Sequence, residues 1–186
     1  MEWLKLLSPH EREVRYLLSH TLPDFYVNGR AQRAARGETI AALPPMQEPV
    51  AEFGRNMALI IGLLRARGTE PVLITQPSMW RDDLTAGEDG LLWLGSADGW
   101  PPNLVNGPYY AVGAMQAMLD LYNDALRRIA RDEKTAIIDL ADLVPRDTTT
   151  FYDDVHFNEG GAERAARIIA EALRGGPAVR SPGTGG

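Results

Sequence analysis

Twice along the chain a long amphipathic helix runs directly into a short apolar segment rich in β-branched residues. No other feature restricts the fold as much. Between Glu48 and Arg67, the residues Val50, Phe53, Met57, Ile60, Ile61 and Leu64 recur every three or four positions, which predicts a helix with one continuous apolar face. Arg65 and Arg67 fall in the last turn, where cations suit the helix dipole, and Gly68 is placed to close it. "EPVLITQP" follows, and its proline-bounded apolar run predicts a buried strand over Val72 to Thr75. The unit then repeats. Met115, Met118, Leu119, Tyr122, Leu126 and Ile129 make the core face of a helix from about Ala111 to Arg131, and "TAIIDL" predicts a second buried strand over Thr135 to Asp139. Helix followed by strand, twice, is the signature of an α/β fold around a parallel sheet. The methionines belong to this core face.

The flanking segments are less regular. "SPHE" at Ser8 to Glu11 is a capping box with proline at the first helical position, so a helix is expected from about Pro9 to His20, with Val14, Leu17 and Leu18 as its apolar stripe. "NGRAQRAARGETIAALPP" is expected to be a short helix and a loop, so residues 1–47 form a helical and loop-rich lead-in. Residues 79–110 are rich in Gly, Asp and Pro and carry Trp80, Trp93, Trp100, Tyr109 and Tyr110. So long an irregular stretch either packs its own aromatics or forms a lid or pocket wall. A last helix is expected after Asn158, with Ala165, Ile168, Ile169, Ala172 and Leu173 facing inward, before a flexible tail over 175–186. Residues 1–174 would then make one domain, without internal repeats.

Composition excludes some functions. The 186 residues carry a net charge of −6 with interspersed signs, which argues against a nucleic-acid partner, since phosphate binding needs a basic surface. No apolar run approaches membrane-spanning length. "MEWLKLLSPHEREV" is charged too early for a secretion signal, and the compartment stays open. Without cysteine, disulfides, thiolate metal sites and cysteine nucleophiles are all excluded.

The chemistry concentrates in "FYDDVHFNEGG", Phe151 to Gly161. His156 falls in a loop between a strand and a helix, where open α/β sheets place their ligands. Asp153, three residues earlier, can turn back to accept a hydrogen bond from the imidazole, fix its tautomer and stabilise the imidazolium. Two other readings are open on the motif alone: a plain surface histidine, or a metal site using Asp153, Asp154 and His156. His10 and His20 have no such pattern and are expected at the surface.

The block "FYDDVHFNEGGAERAARIIAEAL" resembles the last conserved segment of the SGNH, or GDSL-type, hydrolases. "RGTEPVLITQPSMW", "LYNDALRRIA" and "TAIIDLADLVP" precede it in that family's order, so the resemblance covers about Val50 to Leu173. It implies a three-layer α/β/α, flavodoxin-like architecture with a parallel sheet, and a serine ester hydrolase acting on a small ester or acylated glycan without a cofactor. His156 would be the general base and Asp153 the residue that orients it. Asp154 has the wrong offset and is expected to be a solvated neighbour or loop-capping acid. Trp80, Trp93, Trp100, Tyr109 and Tyr110 could shape the substrate pocket.

The chain departs from the family where the nucleophile belongs. There is no Gly-Asp-Ser-Leu-like block, and neither the family's oxyanion Gly block nor its Gly-x-Asn-Asp block is present. "YNDALRR" contains Asn-Asp but lies inside a periodic helix. Ser8 caps a helix, Ser19 ends one and Ser181 lies in the tail. Ser78 and Ser96 lack the strand, tight turn and helix context that exposes a nucleophile. The strand count points the same way. Two short strands fall below the usual five or six, and the chain before residue 70 reads as helix and loop. The expectation is therefore the C-terminal part of such a hydrolase, lacking the N-terminal strands and the serine, with an unpaired sheet edge liable to self-association. The alternative is a non-catalytic binding domain of the same ancestry.

Overall fold

A computed structural model of the chain describes residues 26–98, 106–175 and 179–180. The order of elements is α1 (26–34), β1 (Thr39–Ile40), α2 (Gln47–Arg65), β2 (Val72–Ile74), α3 (Ala86–Asp89), β3 (Tyr109–Tyr110), α4 (Val112–Asp132), β4 (Ala136–Ile138), α5 (Leu140–Leu143), α6 (Glu159–Leu173) and β5 (Val179–Arg180). The helix expected over Pro9 to His20 lies outside the described residues.

The two helix–strand units form as expected, and their strands pair in parallel, Val72 opposite Ala136 and Ile74 opposite Ile138. Helices alternating with short parallel strands place the fold in the α/β class. α2 and α4 pack together over β2 and β4, burying Ile61, Leu73, Leu126, Ala130 and Ile137, with Phe53, Met57 and Ile129 around them. Gly68 takes φ 74° and closes α2, a conformation that glycine adopts without steric cost. Beyond the strands, Asp139 accepts from Thr75 Oγ1 and from Arg127 of α4, which ties both carboxyl ends to the covering helix.

Five expectations need correction. Leu173, expected to face inward, is 62% exposed at the last turn of α6, beyond the reach of the core cluster that contains Ala165. Ile60 is 46% exposed, beside Leu59 at 62% and Leu63 at 58%. α4 and the short strands β2 and β4 take up one side of α2 around Ile61, and these three residues lie off that side. The chain before residue 70 does contain a strand: β1 pairs in parallel with β3 in a separate two-stranded sheet. Such two-residue pairings are set by chain path and leave no periodicity to read. Val179 and Arg180, within the supposed tail, form β5 and pair antiparallel with β4. The sheet order is therefore β2-β4-β5, and no described strand covers the outer edge of β2. Finally, the aromatic segment contains α3, capped by a reciprocal box in which Thr85 accepts from Glu88 N–H and Glu88 reaches back to Thr85 N–H. The pattern Thr-x-x-Glu was legible as a helix start.

A second core cluster joins that segment to the C-terminal part of the chain. Met79, Trp80, Leu92, Met115, Leu140, Val144, Phe151 and Ala165 are its buried members. It is the platform on which the Asp153–His156 loop sits.

Candidate active site

The loop is built by local hydrogen bonds at both ends. Asn158 caps α6 by accepting from Gly161 N–H at 2.8 Å, while its own N–H donates to Thr150 O at 3.0 Å. Gly161 has to be glycine, because a Cβ there would overlap the Thr150 carbonyl. Phe151 and Phe157 form an antiparallel bridge, and Tyr152 N–H donates to His156 O at 3.1 Å. Residues 152–156 are thus pinched into a tight turn whose interior is filled by a carboxylate.

That carboxylate belongs to Asp153, which is fully buried. It accepts from the backbone N–H of Val155 at 3.0 Å and of His156 at 2.9 Å, and from Trp93 Nε1 at 3.0 Å. His156 Nδ1 lies 2.9 Å from Oδ2 and 3.0 Å from Oδ1. Burial pushes the Asp153 carboxyl up, but the donors from His156, Trp93 and Val155 together hold it below its ordinary value. An ionised carboxylate only accepts, so Nδ1 carries the proton and the neutral ring keeps its lone pair on Nε2. The His156 side chain is 46% exposed, so this basic nitrogen sits on an imidazole half open to solvent.

Aromatic rings frame the imidazole. The Trp93 ring lies parallel to it at a centroid separation of 6.3 Å, and that of Tyr152 at 5.7 Å. Tyr26 of α1 meets all three rings edge-on. Arg30, one turn later, donates to Leu91 O and Tyr152 O, clamping α1 over the aromatic segment and the loop. Nothing in the polar sequence around Tyr26 and Arg30 marked them as neighbours of His156.

Asp154 is not solvated: it is fully buried. Its carboxylate accepts from Trp80 Nε1 at 2.8 Å, Trp93 N–H at 2.7 Å and Leu94 N–H at 3.2 Å, and its carbonyl accepts from Met79 N–H at 2.9 Å. Burial raises the Asp154 carboxyl above its ordinary value, against these donors and the nearby Arg33 guanidinium. The sequence offset that set Asp154 apart from the histidine is real. Its side-chain partners lie 60 to 74 positions away, which no local pattern discloses.

Of the proposed pocket residues that are described, Trp93 alone hydrogen-bonds the Asp–His pair. Trp80 joins the core and reaches Asp154. Tyr109 is buried with the Arg33 guanidinium over its ring, and Tyr110 packs against the second core cluster. Trp100 lies outside the described residues, as do His10, His20, Ser8, Ser19 and Ser181. Ser78 does follow a strand, yet it is buried and its hydroxyl donates to Gln116 Oε1 of α4 at 3.0 Å. Ser96 bridges to Tyr109, and its hydroxyl accepts from Asp98 N–H. Neither serine hydrogen-bonds His156. The two acids do not converge on a cation with the histidine, because Asp154 directs its oxygens onto indole and backbone N–H groups. No cluster of three or more His, Asp or Glu able to hold a metal occurs among the described residues. No described helix is long and apolar enough to cross a membrane.

Compared with known proteins, the chain matches no protein-family profile, no curated protein and no solved structure.

Proposed function

We propose that Asp153 and His156 are the orienting acid and general base of an SGNH-type serine ester hydrolase. One observation carries this reading: a half-exposed imidazole has its Nδ1 held by a buried, ionised carboxylate, which leaves Nε2 basic. In the proposed reaction a serine hydroxyl attacks the ester carbonyl while His156 Nε2 takes its proton. The imidazolium, stabilised by Asp153, returns that proton to the leaving alcohol as the C–O bond breaks. His156 then deprotonates water, which attacks the acyl-enzyme and releases the acid and the serine. The exposed Tyr152 ring beside His156 suits an acylated sugar, whose apolar face stacks on aromatic rings.

In this proposal the three-layer, flavodoxin-like sheet is completed by strands pairing on the outer edge of β2, and the serine arrives with them. A serine-directed fluorophosphonate is the direct test. The 186-residue chain should stay unlabelled at Ser78 and Ser96, and labelling should appear when a polypeptide carrying the nucleophile block is added. Labelling of Ser78 or Ser96 would place the nucleophile here instead. A second reading, a non-catalytic binding domain of the same ancestry, is favoured by the distance of both serines from His156's hydrogen-bonding reach. It predicts no labelling under either condition.

The edge of β2 that no described strand covers makes association the expected behaviour of the chain by itself. Val72 and Ile74 on β2 are 36% and 38% exposed. An unpaired apolar edge is a template for another strand, and a lysine on it blocks pairing. Light scattering should show mass rising with concentration for the wild type and less so for Val72→Lys. Identical monomeric behaviour of both proteins would remove this expectation.

A further inference from the structure

We infer that Trp93 is a positioning residue for the Asp153–His156 pair, an inference that rests on the proposed hydrolase reading of that pair. The two adjacent acids grip the same tryptophan from opposite ends. Asp154 accepts its backbone N–H at 2.7 Å, and Asp153 accepts its indole Nε1–H at 3.0 Å. The indole bond lands on Oδ2, the oxygen nearer His156 Nδ1. Its ring also runs within 5° of parallel to the imidazole. Trp93 thus acts on His156 through Asp153: it occupies a lone pair of Oδ2, which keeps the carboxylate from rotating away from Nδ1. Asp153 would otherwise have only local donors from its own turn. Trp93 and Tyr26, whose rings are 5.2 Å apart, form the wall on this side of the histidine.

The test reads the bond itself by NMR on the whole chain, with 15N-labelled histidine and tryptophan. In the wild type the His156 Nδ1–H proton should appear far downfield, as a carboxylate-bound imidazole proton does, and Asp153→Asn should abolish it. The Trp93 indole N–H should be protected from exchange and should shift in Asp153→Asn. Trp93→Phe keeps a flat ring but removes the donor. With one competitor gone from Oδ2, the His156 Nδ1–H signal should move further downfield. Trp93→Leu also removes the ring that packs on Tyr26 beside His156, and the signal should broaden or vanish. If both variants fold and leave that signal where the wild type has it, Trp93 does not position the pair. If neither variant folds, the wild-type indole N–H decides: exchange as fast as that of an exposed tryptophan overturns the inference. Failure of the underlying reading looks different. The wild type would then show no downfield imidazole proton, or Asp153→Asn would leave it untouched.

Discussion

Replacing His156 with alanine should lower ester turnover by about a millionfold wherever the serine is in place, with the fold intact. The imidazole moves the proton in every step of the proposed reaction, and among the described residues no other histidine could substitute for it. Asp153→Asn should be less damaging, roughly ten-thousandfold in the triads where that change has been separated from loss of geometry. The reason is tautomeric. An amide nitrogen facing Nδ1 would donate rather than accept, so Nδ1 would lose its proton and Nε2 would gain one. A steady-state assay on an activated acetyl ester, paired with circular dichroism to verify folding, measures both. Activity within a few-fold of wild type in folded His156→Ala would end the general-base assignment.

The second large effect is on stability. Asp154→Ala should cost about 3–5 kcal/mol, as expected when one member of a buried charged network is removed. Three donors lose their acceptor at once: the backbone N–H groups of Trp93 and Leu94 and the Trp80 indole. Each buried donor left unmet costs about 1–3 kcal/mol, and the sum is reduced because burying the carboxylate is itself unfavourable. Urea unfolding measures the loss, and a value below about 1 kcal/mol would show that Asp154 does not hold the aromatic segment against the loop. The pH dependence should also change in a defined direction. Asp153 is held below its ordinary value, so its contribution is present above the unfolded value and disappears as the pH falls through the folded one. Asp154 is raised, so its charge costs stability at neutral pH and acidification relieves that cost. Removing Asp154 leaves the Asp153 behaviour unopposed, and the variant should lose stability more steeply on acidification than the wild type.

Much of the backbone was legible beforehand. α2, α4 and α6 follow from apolar residues at three- and four-residue spacing, and both parallel strands follow from proline- or polar-bounded apolar runs. Asn158 as the cap of α6 and the Asp153-x-x-His156 contact are also local, spanning three residues each. Other elements were not legible. β1, β3 and β5 have two residues apiece and exist because a distant strand lies alongside them. The exposure of Leu59, Ile60 and Leu63 depends on which side of α2 meets α4 and the short strands, which periodicity does not report. Ser78 sits at a strand end, as a nucleophile would, yet the neighbouring Gln116 takes its hydroxyl.

For the site, the amino-acid order by itself determined which acid faces the histidine, because a tight turn of three residues brings Asp153, and not Asp154, back toward Nδ1. Only the tertiary structure decided that both acids are buried, and that Trp80, Trp93 and Leu94 supply their donors. Those contacts join residues 60 or more positions apart, and they form when the second core cluster folds the aromatic segment against the loop. A short spacing fixes a contact through backbone geometry, whereas a long one is fixed only by the packing that closes the intervening chain.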